Sequence, residues 1–464
     1  MKAVSFLVIL FLSVDSFQLQ QTCYRDDVRS SKAASLTVSY CGAGNNNNPN
    51  DFESPQERED RMRMVRQIQK SFYLGEGGDL VQALSDDDPT ILTQVPLWRV
   101  QWTELPGYQN VLNVHVAHYT HMFRRILSGP KPWFFGHIYL PGGSENLDNP
   151  TYRLLEPNGN SNTENSSKAT TVGTLMKVTD YKFLKDGRLT LIVQAMERFR
   201  VVEATQHVPY AIATIQRDPD MESILVRNSE NDDSIGNNDN ENKNLVAAAV
   251  EETLEWSDWE FRPTLWEQMT STTTTTTGKE EGMIAVSPLI NYDSDFFPNE
   301  LLITSKHQSS TEQDELEQIL KKLECKIWVS LDALLRLLSE LNPGLSVPVP
   351  SQLLGLLPTL PAAAWPEGFQ LEEYATKLQQ NNAVVGTGTK SPFVRVSENY
   401  SYPILRRAAR LSYAIWIILE SIQTQGSPSK QDILEETSIA KRLQLASTQL
   451  DFVNNALRQA LPES

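Results

Sequence analysis

Three cysteines in 464 residues are too few for a disulfide framework, and two of them, Cys23 and Cys41, lie close to the amino terminus. Only Cys325 is left for the body of the chain, where its helical surroundings predict an ordinary packed residue. No Cys-based zinc site follows from such a composition. Positive charge is also short: Lys and Arg number 41 against 58 Asp and Glu, for a net charge of −17. Nucleic-acid affinity comes largely from neutralised phosphates, so a chain without a basic cluster is a poor nucleic-acid binder. Long apolar runs are missing. Val4 to Val14 and Leu411 to Leu419 are both too short to cross a bilayer as a helix, and charged residues flank the second. Nucleophile-elbow and phosphate-loop patterns are absent as well. Gly386 to Ser391 comes nearest, but Thr389 stands where a phosphate loop needs glycine, and Pro392 follows, so the segment reads as a turn.

What is present begins with a targeting signal. Met1-Lys2 and the apolar run after it have the layout of a signal peptide. Val14-Asp15-Ser16-Phe17 then resembles the cleavage site of the bipartite presequences of complex plastids, and the Ser/Thr-containing stretch after it carries Arg25, Arg29 and Lys32. Plastid import is the expectation, with ordinary secretion as the alternative. In the secretory route Asn165 and Asn399 would stand in glycosylation sequons.

The acidity is concentrated in one place. Val95 to Asp220 carries 13 basic and 11 acidic residues, whereas Met221 to Glu315 carries 5 and 20. The acidic stretch includes an Asn/Asp loop and the run Thr272 to Thr277, both of which read as spacers. Around it the pattern alternates between strand and helix. Leu189 to Val193 reads as a strand after the Asp186-Gly187 turn, and Ile138 to Leu140 as another. Gly142 to Ser167 is a Gly/Asn/Ser-rich excursion between strands. Asp314 to Leu341 repeats leucine and isoleucine at three- and four-residue steps up to Asn342-Pro343-Gly344, which predicts a long amphipathic helix. Tyr400 to Gln423 predicts a second.

Val172-Gly173-Thr174, Asp186-Gly187-Arg188, the string Glu197-Arg198-Phe199-Arg200-Val201, and Pro209-Tyr210 follow one another in an order that resembles the LON substrate-binding domain. This is the amino-terminal module of Lon-type ATP-dependent proteases, also found without the protease. Leu105-Pro106-Gly107 and Leu112 to Val116 resemble its opening turn and strand, with Asn113 in place of the usual proline. Lys430-Gln431 with Leu434-Glu435, then Arg442-Leu443, resemble the helices that close it.

The resemblance implies an α+β fold, a PUA-like β pseudobarrel packed beside a mainly helical C-terminal part. It divides the chain into 1–16 (signal peptide), 17–50 (transit-like presequence), 51–92 (charged extension), 93–220 (LON-like β domain), 221–312 (acidic low-complexity insertion) and 313–464 (helical part of the LON-like domain). The ATPase and protease domains of full Lon proteases have no counterpart, nor does the zinc-binding domain of cereblon-like relatives. The implied role is non-catalytic: recognition of unfolded or partly folded polypeptide, as an adaptor in quality control or proteolysis beside a protease or chaperone. No cofactor, no nucleic acid and, after processing, no membrane is expected. An RNA-binding PUA-like module and an enzyme with an unfamiliar site are the alternatives. Binding is expected to depend weakly on salt, because apolar contacts are not screened.

No catalytic or metal-binding residue is assigned. His115, His118 and His121 fall three apart without a carboxylate or Cys cluster beside them and read as structural or surface residues. Trp98, Trp102, Trp133, Phe134 and Phe135 read mostly as core, with one or two available to line a groove for unfolded segments.

Overall fold

The computed structural model describes residues 83–84, 90–155, 167–184, 188–224, 283–284, 312–341, 347–358, 365–376, 402–420, 422 and 426–461. The expected presequence, Asn165 and Asn399 of the two sequons, Asp186-Gly187, the threonine run and Gly386 to Ser391 lie outside them. All described residues belong to one compact unit, Asp79–Ser464.

Seven strands form the sheet: β1 (Ala83–Leu84), β2 (Ile91–Val100), β3 (Gln109–Val114), β4 (Trp133–Tyr139), β5 (Val172–Phe183), β6 (Leu189–Gln206) and β7 (Ala211–Arg217), with helix α1 (Ala117–Ser128) between β3 and β4. β2 pairs with β4 in parallel, and β4 with β5, β5 with β6, β6 with β7 and β7 with β2 antiparallel. Those pairings return to their starting strand, so the sheet closes on itself as a barrel, which leaves few unpaired edges. β6 is long enough, at 18 residues, to serve two neighbours along its length. Its first part pairs with β3 and its second with β7.

Side-chain alternation splits the core in two. Leu97, Ile138, Leu175, Phe199 and Ala213, drawn from all five ring strands, pack inside the barrel. Trp98, Leu112, Phe135, Leu191 and Val193 face the other way and are covered by Tyr119, Met122, Phe123 and Ile126 of α1. The barrel interior is narrow where Phe199 lies. A Cβ on Gly173 would come within 2.5 Å of the His137 carbonyl oxygen and 2.7 Å of the Phe199 ring, and one on Gly136 within 2.5 Å of Leu97. This close approach is the physical reason for glycine in the Val172-Gly173-Thr174 string. Gly173→Ala is expected to destabilise the fold by about 1–3 kcal/mol through overpacking. Chemical denaturation of Gly173→Ala and of Gly173→Ala/Phe199→Leu checks it. Without partial recovery in the double variant, crowding by Phe199 is not the cause.

The carboxy-terminal part is helical: α2 (Glu312–Leu341), α3 (Ile404–Ala414), α4 (Trp416–Glu420), α5 (Lys430–Glu435) and α6 (Ile439–Ala460). α2 buries Leu320, Ile327, Trp328, Leu331, Leu334, Leu335 and Leu338, and also Cys325, whose thiol burial pushes up to about 12. The single helix expected over Tyr400 to Gln423 is two. It starts at Ile404 because Pro403, extended at φ −64° and ψ 136°, occupies the N-cap. At Ile415 the backbone N–H is shared between the carbonyls of Leu411 and Tyr413, which interrupts the regular ladder. α5 begins with a reciprocal capping box between Ser429 and Asp432.

Candidate interaction surface

The sequence string around Arg198 turns out to sit at the seam between barrel and helices. Arg198 is 3% exposed. It donates to Asp218 at 3.1 Å and to the carbonyls of Pro219 at 3.1 Å and Glu436 at 2.9 Å, so it ties the end of β7 to the end of α5. Glu197 pairs with Arg217 across β6 and β7. Gln431 on α5 accepts from the Thr103 hydroxyl at 3.0 Å and donates to the Val172 carbonyl at 3.3 Å. Arg442 on α6 chelates Asp220 through both terminal nitrogens, at 2.8 and 2.9 Å. Glu222, at the start of the acidic stretch, accepts from the Ser438 hydroxyl and from the backbone N–H groups of Ile439 and Ala440 at the start of α6. Apart from the Glu197–Arg217 pair within the barrel, these side chains spend the hydrogen bonds named here on holding the two parts together.

The histidines separate. His115 is exposed beyond β3, while His118 and His121 lie on α1, His118 against Tyr119 with ring centroids 4.3 Å apart. Among the described residues no group of three His, Cys, Asp or Glu is placed to hold a metal ion.

The aromatic candidates divide by face. Trp98 and Phe135 are core residues in edge-on contact with each other and with Phe123. Phe134 is half-buried against the barrel interior. Trp102 is exposed and donates to Glu104 at 3.1 Å, with its ring edge-on to Trp98. Trp133 opens onto a surface that the sequence pattern did not single out. β5 continues past its pairing with β4, which ends at Trp133 opposite Val178, and its last residues include Tyr181 and Phe183. Tyr181 stands edge-on to Trp133 with centroids 5.5 Å apart, and Phe183 edge-on to Tyr181 at the same spacing. Tyr181 is 36% exposed and Phe183 47%. The three rings therefore continue the core under α1 out to solvent, since Trp133 and Leu127 both pack against that core. Two cations lie over the row. The Arg124 guanidinium is 5.6 Å from the Phe183 centroid and the Lys131 ammonium 4.7 Å from that of Trp133. One available sign was the pair Tyr181 and Phe183, two residues apart and shortly before Asp186-Gly187 in the sequence.

An aromatic row with cationic edges, on a barrel whose Arg198 is taken up at the seam together with Gln431 and Arg442, fits contact with another chain. The sequence pattern of the ATP-dependent protease La (LON) substrate-binding domain matches residues 103–451. The chain belongs to this family. The matched span takes in the barrel from Thr103 onward and most of the helical part, and the closed sheet with its helical companion is the α+β, PUA-like arrangement expected of a LON substrate-binding domain. A Lon N-terminal domain protein from Xanthomonas campestris, known by crystal structure, is similar at 18% identity over 30% of this chain and 72% of that one. Its TM-score of 0.19 leaves the architecture to be read from the strands and helices themselves. No curated protein matches the chain.

Proposed function

We propose that this LON-domain chain is a non-catalytic recognition module that binds unfolded or partly folded polypeptide on the Trp133–Tyr181–Phe183 face, as an adaptor in protein quality control or proteolysis. The observation that carries the reading is the exposed aromatic row in a substrate-binding family. Folded proteins bury such rings unless the surface is used, and aromatic side chains dominate binding energy at interfaces. Membership in the family supports polypeptide as the ligand class. The seam residues support a recognition role by exclusion, because Arg198, Gln431 and Arg442 already have structural partners.

Isothermal titration with a denatured model protein tests this. Tyr181→Ser/Phe183→Ser is expected to weaken binding by about 30-fold or more, the usual loss when interface anchors are removed. Trp102→Ala, away from the row, serves as the control and is expected to bind like the parent chain. Far-ultraviolet circular dichroism should match throughout, because both substituted residues are exposed. Equal affinity in parent and serine variant would move the binding face elsewhere.

A further inference from the structure

We propose that the segment this face takes is extended and carries an acidic side chain next to aromatic or aliphatic ones, an inference that rests on the polypeptide-recognition reading above. The place of the row, where β5 outruns β4, argues for an extended segment, and the ring spacing is compatible with one. The rings advance in two steps of 5.5 Å. An extended chain advances roughly 6.6 Å for every two residues, so its side chains at i and i+2 keep pace with the row. A helix matches the step as well, through side chains at i and i+3 or i+4. What favours the extended segment is that β4 ends opposite Val178 while β5 stays paired with β6 as far as Phe183, so a segment laid where β4 stops runs beside β5 along the row.

The charges argue for the acidic component. Arg124 and Lys131 are exposed, and neither makes an ion pair among the described residues. A wholly apolar segment laid over the rings would cover the guanidinium and the ammonium with nothing to replace their water, which is unfavourable for any charge. A basic segment would add repulsion to that. A carboxylate beside the apolar side chains compensates both cations and keeps the ring contacts. The acidic group of the row itself, Asp180, is engaged: its carboxylate accepts the backbone N–H of Tyr181 at 2.7 Å. The stretch Met221 to Glu315, with 20 acidic residues against 5 basic, repels an acidic partner at long range. At physiological salt that repulsion is screened beyond about 8 Å while contact pairs persist, so the preference belongs to the face and not to the chain as a whole.

The test uses the full chain and three fluorescent peptides of equal length with the same two Phe and two Leu, carrying Asp, Asn or Lys at the intervening positions. Anisotropy at physiological salt is expected to rank them Asp, Asn, Lys, with Asp about five- to tenfold tighter than Asn, the scale of two partly exposed ion pairs. In Arg124→Glu/Lys131→Glu the Asp and Lys peptides should exchange rank while the Asn peptide stays within about twofold. High salt should bring the Asp peptide down to the Asn peptide and leave the latter unchanged. Equal binding of all three peptides, lost in Tyr181→Ser/Phe183→Ser, overturns the acidic preference and leaves polypeptide recognition standing. A rank that survives charge reversal overturns it too. Failure of the parent chain to bind any of the three overturns the recognition reading itself, and the preference with it.

Discussion

Arg442→Ala is expected to lower the stability of the folded chain by about 3–5 kcal/mol, the scale of breaking a buried ion pair from one side. Arg442 is 0% exposed, and every nitrogen of its guanidinium is used. The two terminal nitrogens hold Asp220, one of them also donates to the Glu436 carbonyl at 2.7 Å, and the third donates to the Ser412 hydroxyl at 2.9 Å. The plane of the group lies over the Tyr413 ring at 4.1 Å. One side chain therefore joins the end of the barrel, α3 and α6. Truncating it leaves the Asp220 carboxylate and the Glu436 carbonyl without the charge they were built around, and Arg198, 3.7 Å from Asp220, is a distant substitute. The urea midpoint of the variant should fall well below that of the parent. Arg442→Met/Asp220→Leu should recover a large share, because removing both partners of a buried pair costs far less than removing one. A loss below about 1 kcal/mol in Arg442→Ala would mean that the seam is held elsewhere.

The second large effect is a dependence of stability on pH. His137 lies on β4, 1% exposed, edge-on to Trp98 with centroids 5.6 Å apart. Burial pushes its pKa down to about 3, against a backbone hydrogen bond that acts the other way and with a smaller push from the nearby Lys430 ammonium. In the unfolded chain the imidazole titrates near 6.5, so between pH 6.5 and pH 3 the unfolded state binds the extra proton. Stability from this group is present in full above pH 6.5 and is lost progressively as pH falls toward 3. From pH 7 to pH 4 the loss is roughly 3 kcal/mol. Carboxyls that desolvation holds high, such as Glu104 and Asp332, act with the opposite sign, because the folded state keeps their protons above the ordinary carboxyl range. Comparison with a variant is therefore what isolates the histidine. Denaturation of the parent and of His137→Leu across pH 4 to 7 should show a shallower slope in the variant. Parallel slopes would mean that His137 takes up its proton in the folded state.

How much of this was legible beforehand depended on whether a feature is local. The strand expected over Leu189 to Val193 is there, paired antiparallel with β5 up to Phe183 opposite Leu189, while Asp186-Gly187 between them lies outside the described residues. The leucine spacing of α2 reads directly as one buried helical face, and it carries Cys325 inside as its surroundings suggested. The helix over Tyr400 to Gln423 was misjudged at both ends and at Ile415. Hydrophobic periodicity continues through that stretch, whereas the boundaries depend on Pro403 and on how the backbone N–H of Ile415 is shared.

The LON family assignment, the strand order along the chain and the long helix were determined by the sequence alone, because turn chemistry and side-chain periodicity act over a few residues. The tertiary structure alone decided what each motif residue is for. Arg198, conspicuous in sequence, is a tie between β7 and α5, since its partners Pro219 and Glu436 stand 217 positions apart and meet only when the barrel closes against the helices. Trp98 and Trp133 look alike in sequence, yet one lies under α1 and the other at the rim, where β5 outruns β4 and Tyr181 and Phe183 are exposed, with no covering layer among the described residues. Exposure is a property of what packs over a residue, and for this barrel that covering comes from elements distant in the chain.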